Sequence, residues 1–159
     1  MDAKLIIDAV DRFVDLEDLA EERFEPYGIY HREMARILAV CRLLGIDMAI
    51  ESGRARGQST YVLAKYLGAS RVETHSVEFS RDAHATFAED RLSIFGKNLI
   101  LHYGNSFELI PRLLRSAQGR RIAILIDGPQ GRRAIDLLSE CTKASQEVRV
   151  GFIHDLQRL

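Results

Sequence analysis

From residue 46 onward, short apolar runs alternate with stretches of helical periodicity, and this alternation constrains the fold more than any other feature. The runs are "IDMAI" (46–50), "RVETHSVE" (71–78), "NLILHYG" (98–104), "RIAILID" (121–127) and "VRVGFIHD" (148–155). Helical periodicity fills the intervals over 58–67, 81–95, 106–117 and 131–144. In the second interval Ala85, Ala88, Leu92 and Phe95 share one face. "RIAILID" is almost continuously apolar, as a strand covered on both faces must be. Strands joined by helices of this length form a parallel sheet with helices on both sides. The predicted strand order is 3-2-1-4-5, with the first and fourth strands central and a ligand crevice where the order reverses. Upstream, Ile6, Val10, Phe13 and Val14 predict a helix over 3–22, and Pro26 with Gly28 breaks the pattern. Met34, Ile37, Leu38 and Cys41 predict a second helix over 31–44, which Gly45 ends. Residues 1–29 therefore read as a helical appendage and 30–159 as one α/β domain.

A chain of 159 residues, 47% of them hydrophobic, can bury a core of its own. No run of about 18 apolar residues predicts a membrane span. The N-terminal "MDAKLIIDAVDRF" has acids among its apolar residues, unlike a secretory leader. Cys41 and Cys141 each fall in a helical pattern, far apart, and read as reduced, buried hydrophobes of a cytoplasmic protein. The net charge of −1 provides no global field for nucleic acid. Residues 1–25 hold nine acids and three bases, a net of −6, so the remainder carries about +5. Arginines 112, 115, 120, 121, 132 and 133 supply much of that excess and read as a solvated face.

The most informative turn is "IESGRARGQST" (50–60), where a carboxylate, two glycines and a helix start fall within a few residues. Glycine admits positive φ and close approach to the backbone, and a helix start presents unpaired N–H groups. Counted from Gly53, the dinucleotide fingerprint G-x-G-x-x-G needs glycines at 53, 55 and 58. The chain has Gly53, Ala55 and Gln58. The phosphate-binding G-x-x-x-x-G-K-[ST] fails as well, because no Gly-Lys pair follows. An acid at a strand end suits an ammonium or a hydroxyl better than a phosphate.

The pattern E-x-G-x-x-x-G-x-S resembles the first motif of class I S-adenosylmethionine-dependent methyltransferases, most of all the small-molecule O-methyltransferases with their Rossmann-like sheet. The resemblance implies that Gly53, Gly57 and the adjacent backbone border the amino-acid end of S-adenosylmethionine. Glu51 would orient this loop or the cofactor's ammonium. At the second strand end, "HSVEFS", it assigns Glu78 to the ribose hydroxyls and Phe79 to the adenine. At the third, "HYGNSF", Asn105 and Ser106 stand where the family usually has an acid for the adenine amino group. Asn105 keeps an acceptor there without the charge, and either residue also suits a helix cap. The fourth strand ends at Asp127, near the methyl-transfer centre and the cofactor. The fifth ends at His154 and Asp155. The resemblance makes Asp127 and Asp155 a candidate pair for Mg²⁺, whose hard oxygen ligands these would be. His154, with Asp127, is the catalytic candidate as general base. His31, His75, His84 and His102 read as packed or surface residues, and Tyr27, Tyr30 and His31 as the start of a helix or part of a closing segment.

The partner so implied is a small-molecule acceptor, with self-association left open. The family continues past the fifth strand with a helix and two further strands, one of them antiparallel, which supply much of the acceptor pocket. The present chain is expected to be either a fragment or a shortened five-stranded version. A second reading is a non-catalytic, methyltransferase-like binding module that acts through a partner. A nicotinamide oxidoreductase is disfavoured by the failed glycine pattern.

Overall fold

The computed structural model describes residues 2–22, 25 and 28–154. Five parallel strands are ordered β3-β2-β1-β4-β5, as predicted from the alternation and the switch-point position of the 50–60 turn. They are β1 (Met48–Ser52), β2 (Glu73–Glu78), β3 (Leu99–Tyr103), β4 (Ile122–Ile126) and β5 (Val148–Ile153). Helices α1 (Ala3–Phe13), α2 (Leu16–Glu21) and α3 (His31–Leu43) precede the sheet. Between the strands lie α4 (Gln58–Gly68), α5 (Ala83–Leu92) with a 3-10 turn over Ser93–Asn98, α6 (Ser106–Ser116) and α7 (Arg132–Ala144).

Side chains of a strand alternate between the two faces of the sheet, and each face has its own core. Ala49, Ala123 and Leu125 pack against Met34, Leu38, Val62, Leu63 and Leu67 of α3 and α4. Met48, Ile50, Val77, Ile122, Ile124 and Ile126 pack against Ile110, Leu114, Leu137 and Cys141 of α6 and α7. Ala9, Val14 and Leu19 carry the N-terminal helices into the first of these cores. Cys41 and Cys141 are free and buried, and burial pushes both thiols up to about 12. No helix among the described residues is long and apolar enough to cross a membrane.

Two element boundaries differ from the sequence expectation. The single helix expected over 3–22 is divided at Val14, which is extended (φ −120°). Asp15 starts the second segment, accepting from the Glu17 and Asp18 N–H groups, because an Asx side chain caps a new helix readily. The first strand runs over Met48–Ser52 rather than ending at Ile50, so Glu51 belongs to the strand. Ladder pairing with Ser76 and Leu125 extends the sheet through that position.

Candidate cofactor cleft and its base

Beyond the carboxyl ends of β1 to β4 lies a cavity of about 380 Å³. Gly53, Glu78, Phe79, Asn105, Ser106 and Phe107 line it, together with Gly128, Pro129 and Arg133. The structure thus brings together Gly53, Glu78, Phe79, Asn105 and Ser106, which the sequence reading drew from three separate strand ends. Phe107, Pro129 and Arg133 were missed, since nothing local marks them. A neighbouring cavity of about 220 Å³ lies behind the glycine turn, lined by Gly28, Arg54, Ala55, Gln58, Ser59, Asp127 and others.

The turn is shaped by backbone against backbone. Gly53 has φ +91°, and a Cβ there would meet Gly128 N at 2.4 Å. Ser52 O accepts from the N–H groups of Asp127 (2.8 Å) and Gly128 (3.0 Å), which clamps the β1 and β4 ends together. The sequence reading reserved Gly53's freedom for a ligand, yet the β4 loop already occupies the space beside it. Ala55, at the position the fingerprint would give to glycine, also has positive φ (44°). Gly57 (φ 79°) starts α4 without a side-chain cap, and a Cβ there would press on Ala88 and Leu92 of α5.

Glu78 turns its carboxylate back over the turn, accepting from Ala55 N–H and Phe79 N–H, both at 2.7 Å. Each oxygen retains further acceptor capacity, and the residue lines the cavity. Phe79 is 75% exposed, a large apolar ring held at the cavity rim. Asn105 caps α6, its Oδ1 accepting from Phe107 N–H at 3.1 Å, so one acceptor lone pair is already used. The Ser106 hydroxyl is hydrogen-bonded to the Ser52 hydroxyl at 2.7 Å.

Glu51 is placed otherwise than a ligand contact requires. It is fully buried and lines neither cavity. Strand alternation puts it on the α4 side with Ala49, where it accepts from the hydroxyls of Thr60 and Ser76 (2.7 Å to the latter). Burial holds its carboxyl above the ordinary range and the Asp127 charge adds to this, while hydroxyl donors from Ser59, Thr60 and Ser76 oppose it. Through Thr60 and Ser76 it ties β1 to α4 and β2.

Arg54 went unassigned in the sequence. Its side chain is buried, with Nη1 donating to Ser76 O at 2.9 Å and the guanidinium 4.8 Å from the Tyr103 ring centroid. Glu25 is buried too, 3.2 Å from Arg56 Nε and 3.4 Å from Arg91 Nη1. Gln58 ties this segment to the turn, accepting from Glu25 N–H and donating to Ile29 O. His75 and His102, read from the sequence as packed or surface residues, face each other across β2 and β3 with Nδ1 and Nε2 2.9 Å apart. Register pairs His75 with Ile100, so His102 lies two residues along the neighbouring strand on the same face, which periodicity within one strand cannot reveal.

Asp127 and His154 form a dyad, with Asp127 Oδ1 2.7 Å from His154 Nδ1. On the far side of the ring, His154 Nε2 is 3.7 Å from Glu33 Oε2. If Asp127 accepts the Nδ1 proton, the lone pair of the neutral ring lies on Nε2. Asp155, the other half of the expected Mg²⁺ pair, lies outside the described residues, as does Tyr27. Among the described residues no three His, Cys, Asp or Glu side chains are grouped to hold a metal ion.

No protein-family profile and no curated protein matches this sequence. Solved structures do resemble it. The O-methyltransferase TomG from Streptomyces achromogenes, solved with S-adenosylmethionine, is 18% identical with a TM-score of 0.62, over 87% of this chain and 61% of that one. An O-methyltransferase from Bacillus cereus, in complex with S-adenosylhomocysteine, is 17% identical with a TM-score of 0.61, over 87% and 62%. A methyltransferase from Podospora anserina, bound to S-adenosylhomocysteine, is 15% identical with a TM-score of 0.61, over 90% and 60%. The chain spans about six-tenths of the length of these neighbours. At such identities the likeness is one of fold: this chain carries the Rossmann-like sheet of the O-methyltransferases, in the same strand order it was expected to have.

Proposed function

We propose that the chain binds S-adenosylmethionine and places its methyl group for transfer to an oxygen of a small molecule. The observation that carries this reading is the convergence of Gly53, Glu78, Phe79, Asn105 and Ser106 on one cavity at the carboxyl edge of the sheet. Each fits one part of the cofactor. Glu78 has a free lone pair on each oxygen for the two ribose hydroxyls, and Phe79 offers an apolar face to the adenine. Asn105 and Ser106 offer polar atoms at its edge. Asp127, on the adjoining cavity with the uncapped start of α4, suits the ammonium and carboxylate of the amino-acid end. The likeness to proteins solved with S-adenosylmethionine and S-adenosylhomocysteine supports the same assignment.

When bound, S-adenosylmethionine supplies an electrophilic methyl group: its carbon bonds to the acceptor oxygen as the bond to sulfur breaks, and sulfur keeps the electron pair. The protein contributes position and a proton acceptor. Asp127 holds His154 by Nδ1, so Nε2 takes the proton of the acceptor hydroxyl. The imidazolium formed then lies between the carboxylates of Asp127 and Glu33.

Calorimetric titration with S-adenosylhomocysteine tests the reading, with NAD as comparison. S-adenosylhomocysteine is expected to bind and NAD not. Glu78→Ala is expected to weaken binding by about 1–3 kcal/mol, the cost of charge-assisted bonds to two hydroxyls. Unchanged affinity in this variant would remove Glu78 from the site. Proton transfer to His154 predicts that turnover survives excess chelator. Loss with chelator and recovery with Mg²⁺ would instead favour a metal held by Asp127 and Asp155. Binding without turnover on any acceptor would point to a non-catalytic module.

A further inference from the structure

A chain of three titratable side chains joins β2 to the edge strand β3, on the face of the sheet that packs against α6. Glu73 Oε1 lies 2.6 Å from His75 Nε2, and His75 Nδ1 lies 2.9 Å from His102 Nε2. The two rings are within 10° of parallel. His75 is buried and His102 half-buried. Register aligns His102 with Val77, so the chain crosses between the strands near their carboxyl ends. Among the described residues β2 is the only strand beside β3.

The partners set the protons. An ionised carboxylate only accepts, so His75 donates to Glu73 through Nε2–H. The neutral ring then has its lone pair on Nδ1 and accepts from His102 Nε2–H. A gap of 2.9 Å holds one hydrogen, because a hydrogen on each nitrogen would leave no acceptor. One added proton is tolerated: one ring becomes a cation and donates, and the other still accepts. A second sets N–H against N–H between two cations. The other charges acting here are the Glu73 carboxylate on β2, Arg112 on α6 and Arg54 in the turn after β1. From β1 this face receives the apolar Met48 and Ile50. Burial above all holds His102 below the ordinary 6.5, and the charges of His75, Arg54 and Arg112 act in the same direction.

We infer that Glu73, His75 and His102 form an acid-sensitive clasp: a second proton on the histidine pair drives β3 from β2 and withdraws the Gly104–Ser106 turn from the cofactor cleft. β3 runs directly into that turn. Gly104 N–H donates to Glu78 O at 2.9 Å, and Asn105 and Ser106 line the cavity. The clasp itself rests on the pair, and its effect on the cofactor rests on the methyl-transfer reading. The folded chain binds fewer protons at His102 than the unfolded chain. The stability this gives is complete above about pH 6.5 and is lost as pH falls through the lowered folded value.

The test follows the full chain from about pH 8 to about pH 4.5 by histidine proton resonances, amide exchange, urea midpoint and affinity for S-adenosylhomocysteine. The pair is expected to titrate in two separate steps, the second coinciding with faster exchange of the Gly104 amide relative to its intrinsic rate. His102→Gln keeps an amide donor for His75 Nδ1 and takes no proton. It should bind S-adenosylhomocysteine within twofold of wild type near neutral pH. Between about pH 7.5 and about pH 5 the wild type should lose affinity at least fivefold and the variant less than twofold. Glu73→Gln, at a partly exposed side chain, keeps an acceptor without the charge and should move both steps to lower pH. That shift identifies the pair even where His102→Gln does not fold. Equal acid loss in wild type and His102→Gln, or two histidines that titrate independently and ignore Glu73→Gln, overturns the inference. If S-adenosylhomocysteine binds the wild type at no pH, the methyl-transfer reading fails, and the resonances, amide exchange and urea midpoint still decide the clasp.

Discussion

Gly53→Ala is expected to lower the free energy of unfolding by about 2–5 kcal/mol. About 1–2 kcal/mol comes from holding an L-residue in the left-handed region, and the remainder from overpacking. The residue has φ +91°, and its new Cβ would stand 2.4 Å from Gly128 N and 2.9 Å from Asp127 C. Those atoms are backbone, so no flexible side chain can move aside. Retreat of the β4 loop would break the bonds from Asp127 N–H and Gly128 N–H to Ser52 O. Gly53 and Gly128 both line the cleft, so affinity for S-adenosylhomocysteine should fall with stability. Urea denaturation measures the effect, as a lower midpoint at unchanged slope. A change under about 0.5 kcal/mol, the ordinary scatter of surface substitutions, would mean that the two strand ends do not depend on this contact.

Glu51→Gln is expected to remove a pH dependence of stability. The Glu51 carboxyl titrates higher in the folded protein than the usual 4.5, chiefly through burial. Above the unfolded value the unfolded chain therefore binds fewer protons at this group than the native one. Stability then declines as pH rises from about 4.5 through the raised folded value, and levels off above it. Each unit of elevation costs about 1.4 kcal/mol at high pH. Glutamine still offers an oxygen to the Thr60 and Ser76 hydroxyls and carries no charge, so the decline specific to Glu51 should vanish. The measurement is unfolding free energy from pH 4.5 to 8 for both proteins. Parallel curves would show that hydroxyl donors offset burial, leaving this carboxyl with no net shift on folding.

Much of the cleft was legible because its determinants are local. An apolar run that ends in glycine, an acid or an Asx residue marks a strand end, and all strand ends of a parallel sheet point to one edge. Gly53, Glu78, Phe79, Asn105 and Ser106 could therefore be named from three separate segments, and they do meet at one cavity. The same logic placed Asp127 and His154 just past the ends of neighbouring strands, β4 and β5, where they are within hydrogen-bonding distance.

Other assignments depended on distances that no local pattern carries. Where β1 stops depends on the strands beside it. Its ladder continues through Ser52, and this turned Glu51 from a presumed rim residue into a buried one under α4. Arg54 carries no local sign of burial and is buried because Tyr103 and Ser76, from two other strands, receive it. His75 and His102 meet through cross-strand register. The groove beside His154 is lined from α1, α3, β4 and β5, four segments that no local pattern brings together. Periodicity by itself determined which residues face inward and that strands alternate with helices, since both follow from backbone geometry repeated at short range, while the strand order needed the opening motif's place at the switch point as well. The tertiary structure alone decided which inward or rim positions face a cavity, a partner side chain or another backbone, since contacts between segments far apart in the chain depend on how whole elements pack.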